Sequence, residues 1–214
     1  MAGAVVLGAG PGIGRSVAFR FAVDGMPVAV VGRSRPTVDA VAAGIRDTGA
    51  DVLGLAADVA DEDALRAALR TAEERFGVPD VVVYNAALVR PDALGELDAA
   101  GQLAAWKVNV VGALTAAAQV LPGMAARGSG TFLVTSGMPE PKPGYVSLSL
   151  GKAGVRTLAE LLDLGYRDVG VHVATVTVAG PVAEGTAWDP DDIAEHYWRL
   201  HHQPREAWTH EVVH

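Results

Sequence analysis

The sequence predicts an α/β fold, a doubly wound parallel sheet in a single domain. Three observations predict it. Short apolar runs alternate with longer amphipathic stretches along the whole chain. The short runs are apolar throughout rather than at every second residue, as in strands covered on both faces. No linker, repeat or low-complexity tract interrupts the 214 residues, so 1–214 reads as one unit.

The elements follow in order. Ala4 to Gly8 is the first strand, and Gly12 to Asp24 the helix after it. Pro27 to Gly32 is the second strand. Ser34 caps the next helix, and Pro36 sits in its first turn, where a missing N–H costs nothing. Asp51 to Asp58 is the third strand, followed by a helix from Asp61 to Phe76, and Asp80 to Ala87 is the fourth. A long helical stretch runs from Asp98 to Arg127, with Gly112 inside it and Pro122 near its end. Gly130 to Ser136 is the fifth strand, Ser147 to Tyr166 a helix, and Val171 to Val178 the sixth strand. Pro190 to His202 makes the last helix before a short strand, Thr209 to Val213. Strict alternation with right-handed crossovers puts helices on both faces of the sheet.

Composition narrows the function. Half of the residues are hydrophobic and a fifth are charged, which is too apolar for disorder and too evenly charged for membrane spans. With 17 Lys and Arg against 25 Asp and Glu, the net charge of −8 argues against nucleic acid as a partner. The absence of cysteine excludes disulfides, zinc–thiolate sites, iron–sulfur clusters and thiol nucleophiles. The start carries a motif instead of a leader, so the expectation is a cytoplasmic chain with no membrane partner. The tail gathers Trp188, Tyr197, Trp198 and Trp208 with His196, His201, His202, His210 and His214. These match no metal-ligating pattern on one helix face, so no metal is expected; the tail reads as a solvated helix with a subunit-contact surface.

The first strand runs straight into Gly8-Ala-Gly-Pro11-Gly12-Ile13-Gly14 and then a helix. Glycines there allow a tight turn and let backbone amides approach a phosphate, and the helix N-terminus favours its charge. Asp58, Asn85, Ser136 and Gly180 stand at the carboxyl ends of strands, where open parallel sheets bind ligands. Lys152 lies on one helix face with Leu148, Val155, Ala159 and Leu162, a costly place for an ammonium unless it is paired or snorkels out.

In these marks the chain resembles the short-chain dehydrogenase/reductase family, whose members have a Rossmann-type sheet. The glycine spacing, G-x3-G-x-G, is the family's. The resemblance places Asp58-Val59 at the adenine and matches Asn85-Ala86-Ala87 to the family's Asn-Ala-Gly. It gives Asn109 a role in holding an active-site water, Ser136 one in orienting a carbonyl, and Lys152 one in binding the nicotinamide ribose. Gly180-Pro181-Val182 falls near the nicotinamide carboxamide. At the end of the second strand an acidic ribose ligand is replaced by Gly32-Arg33-Ser34-Arg35, which suits the 2′-phosphate of NADP, with Arg15 able to add charge.

Two departures stand out. The family's catalytic Tyr stands four residues before the Lys, where this chain has Leu148. Tyr145, a water or Lys152 itself would then have to supply the proton. After the sixth strand only Pro181 to Asp189 precede the last helix, so residues 180–214 form a short segment in place of the usual substrate lid. The expectation is an NADP(H)-dependent oxidoreductase of a small carbonyl or alcohol, assembled as a homodimer or homotetramer. The alternative is a catalytically impaired NADP-binding protein that acts through binding or assembly.

Overall fold

The computed structural model describes residues 2–214. Strands β1 (Ala4–Leu7), β2 (Val28–Gly32), β3 (Val52–Ala56), β4 (Val81–Tyr84), β5 (Gly130–Gly137), β6 (Val171–Val178) and β7 (Glu211–Val213) form one sheet. Their order is β3-β2-β1-β4-β5-β6-β7, and every neighbouring pair is parallel. Leu7 aligns with Val31 on one side and Tyr84 on the other, and Tyr84 with Val134.

The uniformly apolar strands are explained by what covers them. Helices α1 (Ile13–Val23), α2 (Arg35–Arg46) and α7 (Pro190–His201) bury Val17, Phe21, Ile45 and Tyr197 on one face. Helices α3 (Glu62–Phe76), α5 (Gly112–Arg127) and α6 (Val146–Tyr166) bury Leu65, Leu121 and Val155 on the other. Each such side chain contributes roughly 1.5–3 kcal/mol. Short polar residues start several helices: Asp61 accepts from Ala64 N at 3.0 Å, and Asp189 from Asp191 N at 2.9 Å. Each such cap is worth about 1 kcal/mol.

Two features differ from the sequence expectation. The stretch from Asp98 is not one helix: α4 (Ala99–Trp106) gives way to a π-helical turn, Lys107–Val111, before α5. A side chain on Gly112 would collide with the Tyr84 hydroxyl, and Asn109 turns inward to accept from Leu88 N at 2.8 Å. The widened turn satisfies both contacts. By length and composition Ala99–Arg127 could cross a bilayer, yet half of its most apolar window is buried in this fold.

The tail aromatics, expected as a subunit-contact surface, are used within the chain. Trp208 stacks on His172 at 4.8 Å, Tyr197 is buried, and the Arg20 guanidinium lies over Trp198. The strand order reverses between β1 and β4, so a crevice opens beyond their carboxyl ends.

Candidate active site

The glycine loop forms one wall of that crevice. Gly8 has φ 89°, and a Cβ on it would run into the backbone of Ala86. A Cβ on Gly14 would strike the Gly8 carbonyl, so only glycine lets α1 begin this close to the loop. Gly10 and Gly12 face open space, and Pro11 is exposed on the loop's outer side. No side chain caps α1, and the buried Ser16 hydroxyl has no partner among the described residues. The bare helix start and the open side of the loop fit the phosphates of a dinucleotide.

A cavity of about 350 Å³ extends from this loop, lined among others by Arg33, Ser34, Thr37, Val59, Asn85 and Ala86. Of the three arginines expected here, Arg33 alone lines it. Arg35 turns to Asp39 at 3.0 Å, and Arg15 lies over the Phe19 ring at 4.7 Å. The Ser34 hydroxyl is engaged as the α2 cap, accepting from Thr37 N at 3.4 Å. The Asp58 carboxylate accepts from Ala60 N at 2.9 Å and closes a turn, leaving Ala57 and Val59 as the lining at that strand end.

A second cavity, of about 650 Å³, meets the first along Asn85, Ala87 and Val89. Its walls carry Ile13, Ser136, Lys152, Pro181 and Val182. Asn85 joins three strands: its Nδ2 donates to Gly8 O at 2.9 Å and its Oδ1 accepts from Thr135 Oγ1 at 2.9 Å. Thr135 in turn lies 2.6 Å from the Tyr197 hydroxyl of α7. The buried Lys152 does not snorkel. Its Nζ donates to Thr135 O at 2.7 Å, and burial, aided by the Arg156 charge, pulls its pKa down to about 8. The Ser136 hydroxyl, also buried, donates to Lys152 O at 3.4 Å.

Asn109 packs against Gly151, where any Cβ would press on its side chain, and its buried Nδ2 has no partner among the described residues. Leu148 lies in the cavity wall, one turn before Lys152. Tyr145 lines the same cavity but belongs to the loop: it caps α6, half-buried, and pairs with Asp92 in a parallel bridge. Beyond β6 the Trp188 indole fills the space where Gly180 would carry a side chain. The short loop is tied down by Ala183 N to Trp188 O at 3.2 Å and by His214 Nε2 to Ala187 O at 2.7 Å.

Sequence reasoning missed three contributors. Thr135 and Tyr197 look like ordinary strand and helix residues until the sheet brings them to Asn85. Arg156 was legible, one helical turn beyond Lys152, but its direction was not.

A sequence model described as short chain dehydrogenase matches residues 2–189. Among curated proteins, the chain is 35% identical over 176 residues to a cis-4-hydroxycyclohexanecarboxylate dehydrogenase of Sinomonas cyclohexanicum, covering 81% of this chain and 70% of that protein. It is 32% identical over 178 residues to glucose 1-dehydrogenase 2 of Bacillus subtilis, covering 81% and 69%. Among solved structures, an alcohol dehydrogenase from the archaeon Thermococcus sibiricus, complexed with 5-hydroxy-NADP, superposes with a TM-score of 0.89 at 25% identity. That match covers all of this chain and 96% of the other. A metagenomic short-chain oxidoreductase in complex with NADP gives 0.91 at 26% identity, with the same coverage. The family match runs over nearly the whole chain and the fold recurs in solved relatives, so this chain belongs to the short-chain dehydrogenase family.

Proposed function

We propose that the protein is an NADP(H)-dependent oxidoreductase acting on a carbonyl or alcohol substrate. The observation that carries this reading is the junction of the two cavities along Asn85, Ala87 and Val89. A dinucleotide held at the glycine loop and Arg33 reaches, through that junction, the cavity that holds Ser136 and Lys152. The solved relatives complexed with NADP and 5-hydroxy-NADP support the cofactor class.

When bound, the nicotinamide supplies a hydride to the carbonyl carbon. The chain does the rest. Gly8, Gly10, Pro11, Gly12 and Gly14 shape the phosphate cradle; Arg33 meets the 2′-phosphate; Val59 and Ala86 line the adenine side; Pro181 and Val182 border the nicotinamide side. Ser136 donates a hydrogen bond to the substrate oxygen, polarising the carbonyl. Lys152 holds the ribose with a charged ammonium and delivers the proton that the oxygen takes up. No phenol stands one turn away, and burial already brings this amine to about 8, close to the range a general acid needs. Asn109 offers its unpartnered amide to a water beside Lys152. Residues 180–214 take the place of a lid; with so short a cover the cavity is wet, and the substrate is held loosely.

The test combines calorimetry with a turnover assay on a carbonyl panel. Wild type is expected to bind and oxidise NADPH in preference to NADH. Arg33→Ala should lose about 1–3 kcal/mol of affinity for NADPH alone, the worth of a charge-assisted contact. Equal affinity for both cofactors in wild type overturns the NADP assignment. Leu148 favours a second reading, a nucleotide-binding protein without turnover, and tight NADPH binding with no reduction across the panel would establish it.

A further inference from the structure

Helix α6 brings a second cation to the site one turn after Lys152. Arg156 Nη1 donates to Gly137 O at 2.7 Å and lies 3.4 Å from both Ser136 Oγ and Met138 O. These groups form the last residues of β5 and the turn leaving it. Among the described residues Met138 is the one non-glycine with positive φ, at 48°. A side chain held there costs energy and persists only when its surroundings enforce it. No carboxylate lies within salt-bridge reach of Arg156 among the described residues, so its charge is spent on these oxygens.

We propose that Arg156 is a positioning residue: it engages a lone pair of the Ser136 hydroxyl, so that the proton now donated to Lys152 O at 3.4 Å is what the hydroxyl turns to a substrate oxygen, and it braces the Met138 turn that walls the cavity. The proposal rests on the oxidoreductase reading above, since it assigns Ser136 a partner through which to act. A serine whose oxygen already accepts from a guanidinium is a better donor and a poorer base. That is the character needed toward a carbonyl oxygen when no phenol assists.

The same charge acts on Lys152. Around this amine β5 contributes the neutral Thr135 and Ser136, and the π-helical turn contributes the neutral Asn109. The loop before α6 brings Lys142 and Tyr145 to the cavity wall. On β7, Glu211 accepts from Thr177 at 2.6 Å. Arg156 is the charged neighbour that adds to burial in favouring the neutral amine.

The chain has three lysines, Lys107, Lys142 and Lys152, so selective carbon-13 lysine labelling resolves their Cε signals and follows Lys152 without any turnover. In Arg156→Gln the charge is gone, and the Lys152 midpoint should rise by about half a pH unit or more. The kcat for carbonyl reduction should fall about tenfold while KM for NADPH stays unchanged, because the loss is confined to the step that Ser136 assists. Arg156→Lys keeps the charge but not the fork: the midpoint returns toward wild type and kcat recovers only in part. A folded Arg156→Gln with wild-type midpoint and wild-type kcat overturns the proposal. Should Arg156→Gln not fold, Arg156→Lys decides, since full kcat in that variant overturns the contact assigned to the guanidinium on Ser136. Failure of the functional reading looks different: wild type then reduces nothing, while the Lys152 midpoint still reports whether Arg156 governs the pair.

Discussion

Leu148 stands one helical turn before Lys152, its side chain 3% exposed against the cavity. Nothing in leucine can pass a proton, and general acid catalysis is worth about 10²–10⁴-fold. Leu148→Tyr is therefore expected to raise turnover on a generic carbonyl with NADPH, because Ser136 and Lys152 already flank the position. The larger side chain enters a packed wall at a cost of about 1–3 kcal/mol, so the thermal midpoint has to be followed alongside the rate. Tyr145→Phe should leave the rate unchanged, since the α6 cap holds Tyr145 in the loop; a collapse of activity in that variant would make Tyr145 the acid and the Lys152 assignment wrong. In the sequence a strand end marked Ser136 and an apolar helix face marked Lys152, whereas Asn109 came only through the family resemblance. Their partners were not. Arg35 had Asp39 four residues away on its own helix, and Asp58 had the Ala60 amide two residues on. Such local competition draws charged groups away from a ligand pocket and is settled by geometry that spacing does not carry.

At the scale of the elements, α7 shows how packing sets a titration. His201, at its last turn, places Nδ1 2.9 Å from Thr131 Oγ1 and its ring edge against Phe21. Burial, helped by neighbouring imidazoles, depresses its pKa to about 4, and burial also depresses those of His172 and His196. An unfolded imidazole titrates at about 6.5, so between about 6.5 and 4 the unfolded chain binds more protons than the folded one. This stability is whole above that window and is lost as the pH falls through it. The thermal midpoint should drop between pH 7 and pH 5, and His201→Gln should make that drop shallower; an unchanged slope would show that His201 does not carry it. The start of α7 was readable from Pro190. The break in the long helix was not, because the π-helical turn depends on Asn109 meeting Leu88 and on Gly112 meeting Tyr84, contacts made across the fold rather than along it.

The doubly wound parallel sheet was the most legible level of all, because strict alternation of strands and helices with right-handed crossovers leaves few other ways to wind such a chain. The outer surface was less so: alanines and leucines on several helix faces say that something is to be covered without saying which face stays bare. The structure shows Leu103 and Leu114 exposed on α4 and α5, and Leu150, Leu161 and Leu164 exposed on α6, up to 76% at Leu164. Helices α4 and α6 pack side by side, so these residues lie on neighbouring helices rather than scattered over the surface. Isolated exposed leucines need no explanation, but several gathered on adjacent helices match the apolar centre of a self-association surface. A stable two-fold interface needs about 800 Å² per partner, an area that two helices of this length can supply. A homodimer or homotetramer is expected by light scattering at micromolar concentration. Each helix would meet its own copy across the axis, so one charge per chain is introduced twice into a dry contact, where like charges repel strongly. Leu114→Glu with Leu161→Glu should therefore yield a folded monomer. A wild type that is already monomeric with NADPH present would leave these leucines without a partner and refute the assembly.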